Sequence, residues 1–453
     1  MDPRRFANAV LVAAALTAAS GAVLAARVRE MYDGRTHHGL LPIAALAVLA
    51  AAFLASLRLP VNVRTKVALV ALSLAVAAYA AEFCLKDLPG LRLRWMAGRL
   101  GVPYDPRTQL EVVRDLRRRG VDAWPSVVPA FMGSRTGSEI APLGGISGVT
   151  AVVCNELGNY LIYQSDARGF HNPSGLWSGG PLDIAALGDS YTEGRCVPSD
   201  QNMVALIRLR YPATLNLGVS GNGPLRALAG LREYLPALRP RRILWFYFEG
   251  NDLYDLDQES LDPVLARYLD SGFSQRLPFR QSEIDGLLRR RLDTEYRNAE
   301  ATARTNRSSD RWRGVPVLRS LRDLLGLAIR QPSIDMFGPN RERNYDMFLR
   351  ILVEAHKTTD TWGGRLHLVY LPMRLRYERS HVRRINDEVR VKISAALRDL
   401  EIPLIDLVDV FGRQPNSTEL YTPVGGHFTP AGHALAADSV LRALERTSPG
   451  GVP

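Results

Sequence analysis

The sequence predicts an α/β fold in which a doubly wound, parallel five-stranded sheet follows about three transmembrane helices. Apolar residues crowd the first 85 positions, and from residue 183 onward short apolar runs alternate with segments of helical period. Near-continuous apolar strands that alternate with helices are typical of a parallel sheet covered on both faces. In such sheets the functional side chains gather beyond the carboxyl ends of the strands, so a site is expected there.

The N-terminal region contains three apolar stretches, at residues 6–26, 39–57 and 66–85. A helix needs about 20 apolar residues to cross a bilayer, so the first two stretches are long enough and the third is marginal. The first also follows the basic sequence MDPRR, as a cleaved signal peptide would. It is long for a signal, however, and two further apolar stretches come directly after it. We therefore predict a multi-pass membrane anchor over residues 1–85.

The chain carries a net charge of +11, mainly from arginine. Nucleic-acid binding is disfavoured, because no zinc-ligand spacing, RNA-binding motif or basic recognition helix accompanies the charge. A basic surface near anionic lipid headgroups is the favoured interpretation. The positive-inside rule does not fix the orientation, since basic residues flank the apolar stretches on both sides, with a slight excess that favours a cytoplasmic C-terminal domain.

The remaining chain is predicted to have two parts. Residues 86–182 form a connecting region with short strands and loops, and residues 183–446 form the α/β domain. An insertion is expected at about 270–345, because the arginine-rich sequence there is too polar for a core. Within the domain, five strands are predicted at residues 183–188, 213–218, 242–250, 365–372 and 402–407.

Four residues stand where these strands end or where the last helix begins. Ser190, in LGDSYTEG, is on the turn after the first strand, where helix N-terminal amides stabilise an anion. Gly221, in NLGVSGNGP, and Asn251, in FEGNDL, offer amide donors to a developing oxyanion. His427, in GGHFTPAGH, precedes Pro430, which suits the first turn of a helix, so His427 is expected on the loop. Each residue alone also fits an ordinary turn or helix cap.

Together, and in this order, the four residues resemble the SGNH (GDSL-type) hydrolase family over roughly residues 183–446. The resemblance implies a flavodoxin-like three-layer sandwich and an ester hydrolase or acyltransferase that works through an acyl-enzyme. It implies Ser190 as the nucleophile and His427 as the general base. The oxyanion hole is then formed by the amides of Ser190 and Gly221 and the side chain of Asn251. His433 is interpreted as a structural residue of the last helix, and no metal or cofactor is expected.

The chain departs from the family pattern at two places. Glu249 stands where the third motif usually has glycine. The family also usually carries an aspartate two or three positions before the catalytic histidine, where this chain has Gly425 and Val424. We therefore expect the imidazole N–H of His427 to be accepted by a backbone carbonyl of the loop at residues 421–426.

Three aspartates, Asp189, Asp252 and Asp406, are candidate accessory residues. Asp406 is poorly suited to replace the absent acid, because its position in the strand sequence LIDL suits a structural hydrogen bond. The absent acid leaves a second interpretation open, in which a catalytically degenerate domain binds glycan or scaffolds polysaccharide assembly.

The resemblance and the anchor together predict a bacterial membrane enzyme that acts on an acylated glycan, a lipid or a small ester. By analogy with the family, the soluble domain is expected to be extracytoplasmic, in the periplasm. Cys154 and Cys196 can form a disulfide there, although two buried free thiols fit the sequence about as well. The sequence carries no signal for the oligomeric state.

Overall fold

The computed structural model describes residues 2–31, 40–85, 88–129, 140–306, 318 and 340–446. The chain divides into two compact units, one formed by residues 1–89 and 303–333 and the other by residues 90–302 and 334–453. Residues 90–182, predicted as a connecting region, therefore belong to the same compact unit as the predicted α/β domain.

The first unit contains the apolar helices α1 (Pro3–Met31), α2 (Leu40–Ser56) and α3 (Val61–Leu85). Among the described residues, two segments are long and apolar enough to cross a membrane, Pro3–Val23 and a stretch within Val61–Leu100, whereas the apolar part of α2 is shorter. The prediction of about three spans is thus one more than these helices support, because a span needs about 20 residues. Residue 39, where the middle span was expected to begin, lies outside the described residues. The length and composition of these helices are compatible with a membrane anchor or a signal sequence.

A parallel five-stranded sheet organises the second unit, as predicted. Its strands are β4 (Ile184–Leu187), β5 (Thr214–Asn216), β6 (Arg242–Phe248), β7 (Arg365–Leu371) and β8 (Leu404–Asp406). They lie in the order β5-β4-β6-β7-β8, and every neighbouring pair is parallel. The connections reverse direction between β4 and β6, which is the switch point where open α/β sheets bind their ligands.

A smaller three-stranded sheet precedes it in the chain. Its strands are β1 (Ala123–Pro125), β2 (Thr150–Val152) and β3 (Ile162–Gln164), in the order β1-β2-β3. β1 and β2 are parallel, and β2 and β3 are antiparallel. All three strands lie within the predicted connecting region, and the loop between β2 and β3 contains Cys154 and Glu156.

Helices cover the sheets and connect their strands. After α3 they are α4 (Leu88–Leu100), α5 (Gln109–Arg118), α6 (Ser190–Glu193), α7 (Met203–Arg210), α8 (Pro224–Leu238), α9 (Asp252–Glu259), α10 (Pro263–Ala266), α11 (Gln281–Asn306), α12 (Arg341–Asp360), α13 (Arg374–Glu378), α14 (Ser380–Asp399), α15 (Val408–Gly412) and α16 (Pro430–Arg446). Short 3₁₀ turns occur at Arg267–Leu269, Leu277–Phe279 and Ser417–Leu420.

Helix α5 fixes the small sheet in place. It begins at a capping box, in which Thr108 accepts from the Glu111 N–H and the Glu111 carboxylate accepts from the Thr108 N–H. The side-chain amide of Gln109 donates to the carbonyls of Val152 and Val153, at 2.9 and 2.6 Å. The end of β2, and with it the loop that follows, is thereby held against α5.

The predicted insertion at about 270–345 is partly helical, as α11 shows. Ile284, Leu288 and Leu292 recur every four residues on this helix and are buried in the core of the second unit. Residues 307–317 and 319–339 of the predicted insertion lie outside the described residues.

Candidate active site

Ser190 lies directly beyond the end of β4, at the start of α6. The side chain of Asp189 caps this helix by accepting a hydrogen bond from the Tyr191 N–H at 2.9 Å. Only 8% of the Ser190 surface is exposed. The strand–turn–helix arrangement expected around LGDSYTEG is therefore present.

The loop that carries His427 is closed on itself before α16 begins. An isolated bridge pairs Tyr421 with Phe428. The Thr422 N–H also donates to the carbonyl of His427 at 2.7 Å. The backbone on both sides of the imidazole is thus fixed by hydrogen bonds, although the segment is not part of a helix or strand.

A hydrogen bond from helix α6 brings this loop to Ser190. The Tyr191 hydroxyl donates to the carbonyl of Gly426 at 2.8 Å, and the Tyr191 ring lies 5.2 Å from the imidazole of His427. Nε2 of His427 then lies 3.0 Å from Oγ of Ser190. The two residues, 237 positions apart in the chain, are within hydrogen-bond distance.

The other imidazole nitrogen contacts a carboxylate. Nδ1 of His427 lies 2.7 Å from Oε1 of Glu156, and the two side chains are 17% and 11% exposed. The expectation that a carbonyl of residues 421–426 would accept this N–H is therefore wrong. The physical reason is that a segment distant in sequence delivers an ionised acceptor, which makes a stronger hydrogen bond than a neutral carbonyl does.

This pair of contacts fixes the imidazole tautomer. A carboxylate only accepts hydrogen bonds, so Nδ1 carries the proton and donates it to Glu156. Nε2 is then left as an acceptor toward the hydroxyl of Ser190. That arrangement is the one in which an imidazole removes a proton from a serine.

The loop of His427 is shaped to receive the Glu156 carboxylate. A Cβ at Gly425 would lie 2.0 Å from Oε1 of Glu156, and Gly425 has a φ of +91°, a conformation that favours glycine. The Thr422 hydroxyl lies 2.6 Å from Oε2 of Glu156 and accepts from the Gly426 N–H. At the position where the family usually has an aspartate, glycine leaves room for a carboxylate from elsewhere.

Glu156 reaches the site from the loop between β2 and β3. Cys154, two residues earlier, is bonded to Cys196, six residues after Ser190. Of the two states the sequence left open, the structure therefore has the disulfide. The two cysteines are the signal in the sequence that could have identified Glu156. If they pair, an acid close to Cys154 is brought near Ser190, which is close to Cys196.

The expected oxyanion donors lie at the same edge of the sheet. Gly221 follows β5 and Asn251 follows β6, and both strands are neighbours of β4. The Ser220 N–H donates to the carboxylate of Glu193 at 2.9 Å, which ties the glycine-rich turn to α6. Gly221 itself has a φ of +78°.

Two of the three candidate accessory aspartates are buried near Ser190, and the third is remote. Burial raises the pKa of Asp189 to about 6, an effect that the nearby His427 partly offsets. Burial also raises the pKa of Asp252 well above its usual value, although the Phe248 N–H donates to it. Asp406 is paired with Arg390 at 2.5 Å on the outermost strand, as its structural interpretation requires.

Glu249, the other departure from the family pattern, has a structural environment. Its carboxylate pairs with the buried guanidinium of Arg376 at 2.6 Å and accepts from the Tyr370 hydroxyl and the Met373 N–H. Burial raises the pKa of Glu249 despite these partners. These bonds fasten the end of β6 to the segment after β7.

His433 contacts neither Ser190 nor Glu156 through any hydrogen bond in the described part of the chain. It is fully buried in α16, and its Nδ1 accepts from the Met203 N–H at 3.2 Å. Burial lowers its pKa to about 3, so this imidazole is neutral at physiological pH. Of the two histidines in GGHFTPAGH, only His427 is within reach of Ser190.

One group of side chains in the described regions has metal-ligand chemistry. Ligand atoms of Glu156, Cys196 and His427 lie within 4.8 Å of one another. The sulfur of Cys196 is already bonded to Cys154, and both nitrogens of His427 have hydrogen-bond partners. A disulfide sulfur is not the thiolate that binds metals, so this group does not fit a metal ion.

A family model matches the part of the chain that contains the five-stranded sheet. Residues 186–435 match the GDSL-like lipase/acylhydrolase family. No match to a curated protein reaches significance. Glu156 lies outside the matched range, whereas Ser190 and His427 lie within it.

Several solved structures are similar to this chain over more than half of its length. A lipolytic protein of the G-D-S-L family from Veillonella parvula is 13% identical, with a TM-score of 0.33, over 58% of this chain and 99% of that one. A GDSL-like lipase from Bacteroides thetaiotaomicron is 12% identical, with a TM-score of 0.32, over 58% and 88%. A catalytic mutant of an acetylxylan esterase from Geobacillus stearothermophilus is 15% identical, with a TM-score of 0.32, over 58% and 94%.

Proposed function

Because the chain belongs to the GDSL-like lipase/acylhydrolase family, we propose that it is a serine ester hydrolase or acyltransferase that works through an acyl-enzyme on Ser190. The observation that supports this proposal most is the continuous hydrogen-bonded chain from Ser190 through His427 to Glu156, with distances of 3.0 and 2.7 Å. Such a chain is the arrangement that activates a serine hydroxyl, which is a weak nucleophile by itself.

In the proposed reaction, Nε2 of His427 removes the proton of Ser190 as Oγ forms a bond to the ester carbonyl carbon. The ester C–O bond then breaks, and the departing alcohol takes that proton from His427. Water or a second alcohol attacks the acyl-enzyme by the same route in reverse, which releases the acid or a new ester. The amides of Ser190 and Gly221 and the side chain of Asn251 stabilise the oxyanion.

Glu156 is the proposed third member of the chain. Its carboxylate holds Nδ1–H and stabilises the imidazolium that forms when Ser190 loses its proton. Thr422, by donating to the second carboxylate oxygen, keeps Glu156 oriented toward His427. Asp189 and Asp252 remain candidate accessory residues, since both are buried beyond the ends of β4 and β6.

The alternative function, a degenerate domain that only binds glycan or scaffolds polysaccharide assembly, depended on the absence of an acid. Glu156 occupies the place of that acid at the far side of His427. With this reason removed, no specific observation favours a purely binding function over an enzyme.

We further propose that residues 1–85 anchor the enzyme in the cell membrane as a multi-pass region and that the domain is periplasmic. The Cys154–Cys196 disulfide supports this location, since disulfides persist in oxidising compartments. The proposed substrate is an acylated glycan, a lipid or a small ester at the membrane. A C-terminal alkaline phosphatase fusion should then be active and a C-terminal green fluorescent protein fusion dark; the reverse pattern would place the domain in the cytoplasm.

The enzymatic proposal is tested with a fluorophosphonate probe and a short-chain activated ester. The full-length protein in detergent should be labelled and should turn over the ester, and Ser190→Ala should abolish both. Ser220→Ala is the matched control for labelling, because Ser220 is a nearby serine that bonds to Glu193 and Arg195 instead of to an imidazole. Equal labelling of wild type and Ser190→Ala would reject the proposed nucleophile.

A further inference from the structure

Helix α4 begins three residues after the end of α3, which belongs to a candidate membrane-spanning segment. Between residues 88 and 100 the sequence has three arginines and no acidic residue. Leu91 and Trp95, one turn apart on the same face, are 57% and 58% exposed. Large apolar side chains next to arginines on one helix face are typical of helices that lie along a membrane surface.

The orientation of α4 is fixed by its other face. Ala97 is 1% exposed, and a Cβ added to Gly158 would lie 2.5 Å from Cβ of Ala97 and 2.5 Å from the carbonyl oxygen of Leu93. Gly158 has a φ of +93°, and its carbonyl accepts from the Asp105 N–H at 2.7 Å. The backbones of α4 and the β2–β3 loop are therefore in direct contact, which keeps Leu91 and Trp95 on the outward side.

Three arginines accompany the exposed apolar side chains. Arg92, Arg94 and Arg99 are all exposed, and the guanidinium of Arg99 lies 4.9 Å from the ring centre of Trp95. Tryptophan is enriched at the level of lipid headgroups, and arginine keeps its charge in the headgroup layer while its stem covers apolar surface. A cluster of basic residues next to a membrane segment is attracted by anionic lipids.

We propose that the face of α4 formed by Leu91, Arg92, Arg94, Trp95 and Arg99 binds the surface of a bilayer that contains anionic phospholipid headgroups. This inference rests on the proposed membrane anchor. It adds a consequence for the site: Gly158 follows Glu156 by two residues, so the helix bound to the bilayer also supports the loop that carries the proposed acid. The site would then be held at the membrane surface, where a lipid-borne ester is presented.

The test uses the full-length protein in nanodiscs of phosphatidylcholine and phosphatidylglycerol, with and without brominated acyl chains. Bromine quenches tryptophan fluorescence at short range, and Trp95 is expected at the interface. The extent of quenching in brominated discs should therefore be about twofold or more greater for wild type than for the Trp95→Phe variant. Trp362→Phe is the matched control, since Trp362 bonds to the Pro240 carbonyl within the second unit; it should be quenched as wild type is. Replacing phosphatidylglycerol by phosphatidylcholine should reduce the quenching that depends on Trp95.

The outcomes separate this inference from the proposed function. Ser190→Ala should show the same quenching as wild type, since the readout does not depend on ester turnover. Incorporation into nanodiscs with equal quenching of wild type and Trp95→Phe would overturn the role of α4 alone. If Trp95 becomes more protected from quenching as the protein concentration rises, and its fluorescence does not respond to the bromine content of the disc, a second copy of the protein covers this face. That result would also overturn the role of α4. Failure to enter nanodiscs would overturn the anchor and the α4 inference together, while the fluorophosphonate test of Ser190 would still stand.

Discussion

The five-stranded sheet and the three-stranded sheet before it contribute in different ways to the hydrogen-bonded series Ser190–His427–Glu156. The larger sheet holds Ser190 at a strand end, and the loop before its last helix holds His427. The smaller sheet supplies Glu156, 271 residues before His427, from an irregular loop. The topology of the larger sheet therefore positions the proposed nucleophile and base, whereas any segment that reaches the far side of the imidazole can supply the acid.

The two regions are matched to each other at the point of contact. Gly425, in the larger region, leaves space that the carboxylate of Glu156 fills, and Thr422 donates to that carboxylate. The Cys154–Cys196 disulfide joins the same two regions a few residues away. A loop that had kept the family's aspartate would have had no need of any of these contacts.

The largest effect is expected from Glu156→Gln, which breaks the contribution of the smaller sheet while leaving the larger one intact. Glutamine keeps the size of the side chain but removes the charge that fixes the tautomer and stabilises the imidazolium. We expect kcat to fall by about 10⁴-fold, as it does when the acid of other catalytic triads is removed. Steady-state kinetics on an activated ester measure this.

Asp122→Asn is the matched control for Glu156→Gln. Asp122 directly precedes β1 in the same small sheet, and its exposed carboxylate pairs with the partly exposed side chain of Arg289 at 2.9 Å. This variant should keep wild-type kcat. If Glu156→Gln were as active as Asp122→Asn, the smaller sheet would have no part in the chemistry, and Glu156 would not be the acid that acts on His427.

Sequence reasoning predicted the larger region well because its signals are local. Alternation of apolar strands and helices gives the parallel sheet, and a residue at a strand end is recognised from its own neighbours, as with Ser190, Gly221 and Asn251. The strand order, which brings these ends together, is known from the structure. Only the membrane part was overestimated, because α2 is a shorter apolar helix than a span requires.

Glu156 was not predicted because no catalytic motif surrounds it in the sequence. The stretch AVVCNELG resembles an ordinary strand and turn, and the contact with His427 is set by tertiary packing. The family pattern also predicts the acid just before His427, where Gly425 is compatible with an external acid but does not identify it. The paired cysteines were the available clue, and the sequence alone did not decide whether they were bonded.

A smaller effect is expected from Gly425→Ala, compared with Gly426→Ala. Both glycines have positive φ, +91° and +82°, so both substitutions strain the backbone by about 1–2 kcal/mol. Only at Gly425 does the new Cβ meet Glu156; at Gly426 it meets no atom within 4 Å among the described residues. We expect similar losses in Tm, but a loss in kcat of about 10²-fold or more for Gly425→Ala alone, because displacing a catalytic group by about 1 Å has that effect.

Thermal melts and kinetics on both glycine variants decide this point. Equal activity losses would mean that the strain in the loop of His427, and not the position of Glu156, limits turnover. An inactive Gly425→Ala protein whose Tm matches that of Gly426→Ala would instead show that the position of Glu156 against the loop of His427 controls turnover.

Removing the disulfide should weaken the link between the regions without removing Glu156. In the chain-entropy account, a bond that closes 42 residues stabilises the fold by about 4 kcal/mol. We expect Cys154→Ala/Cys196→Ala to lower Tm strongly. Its loss in kcat should be smaller than that of Gly425→Ala. Treating wild type with reductant should have the same two effects. Cys84→Ala is the control, since Cys84 is an exposed free thiol. Mass spectrometry that found both thiols freely alkylated in the native protein would contradict the bond itself.

The smallest effect is expected within the larger region alone, at His433, whose burial has no connection with the smaller sheet. Burial lowers the pKa of His433 to about 3 from an ordinary value of 6.5, so between these pH values the unfolded chain binds a proton that the folded chain does not. Stability therefore falls as pH drops below 6.5, by about 2 kcal/mol at pH 5. His433→Gln can keep an acceptor for the Met203 N–H and should lower Tm at pH 7, but its Tm should fall less than that of wild type between pH 7 and 5. His356→Gln, on the partly exposed helix α12, is the control, and its Tm should fall between pH 7 and 5 as much as that of wild type does. If the Tm of His433→Gln also fell by that amount, the buried imidazole would not be what makes the fold sensitive to acid.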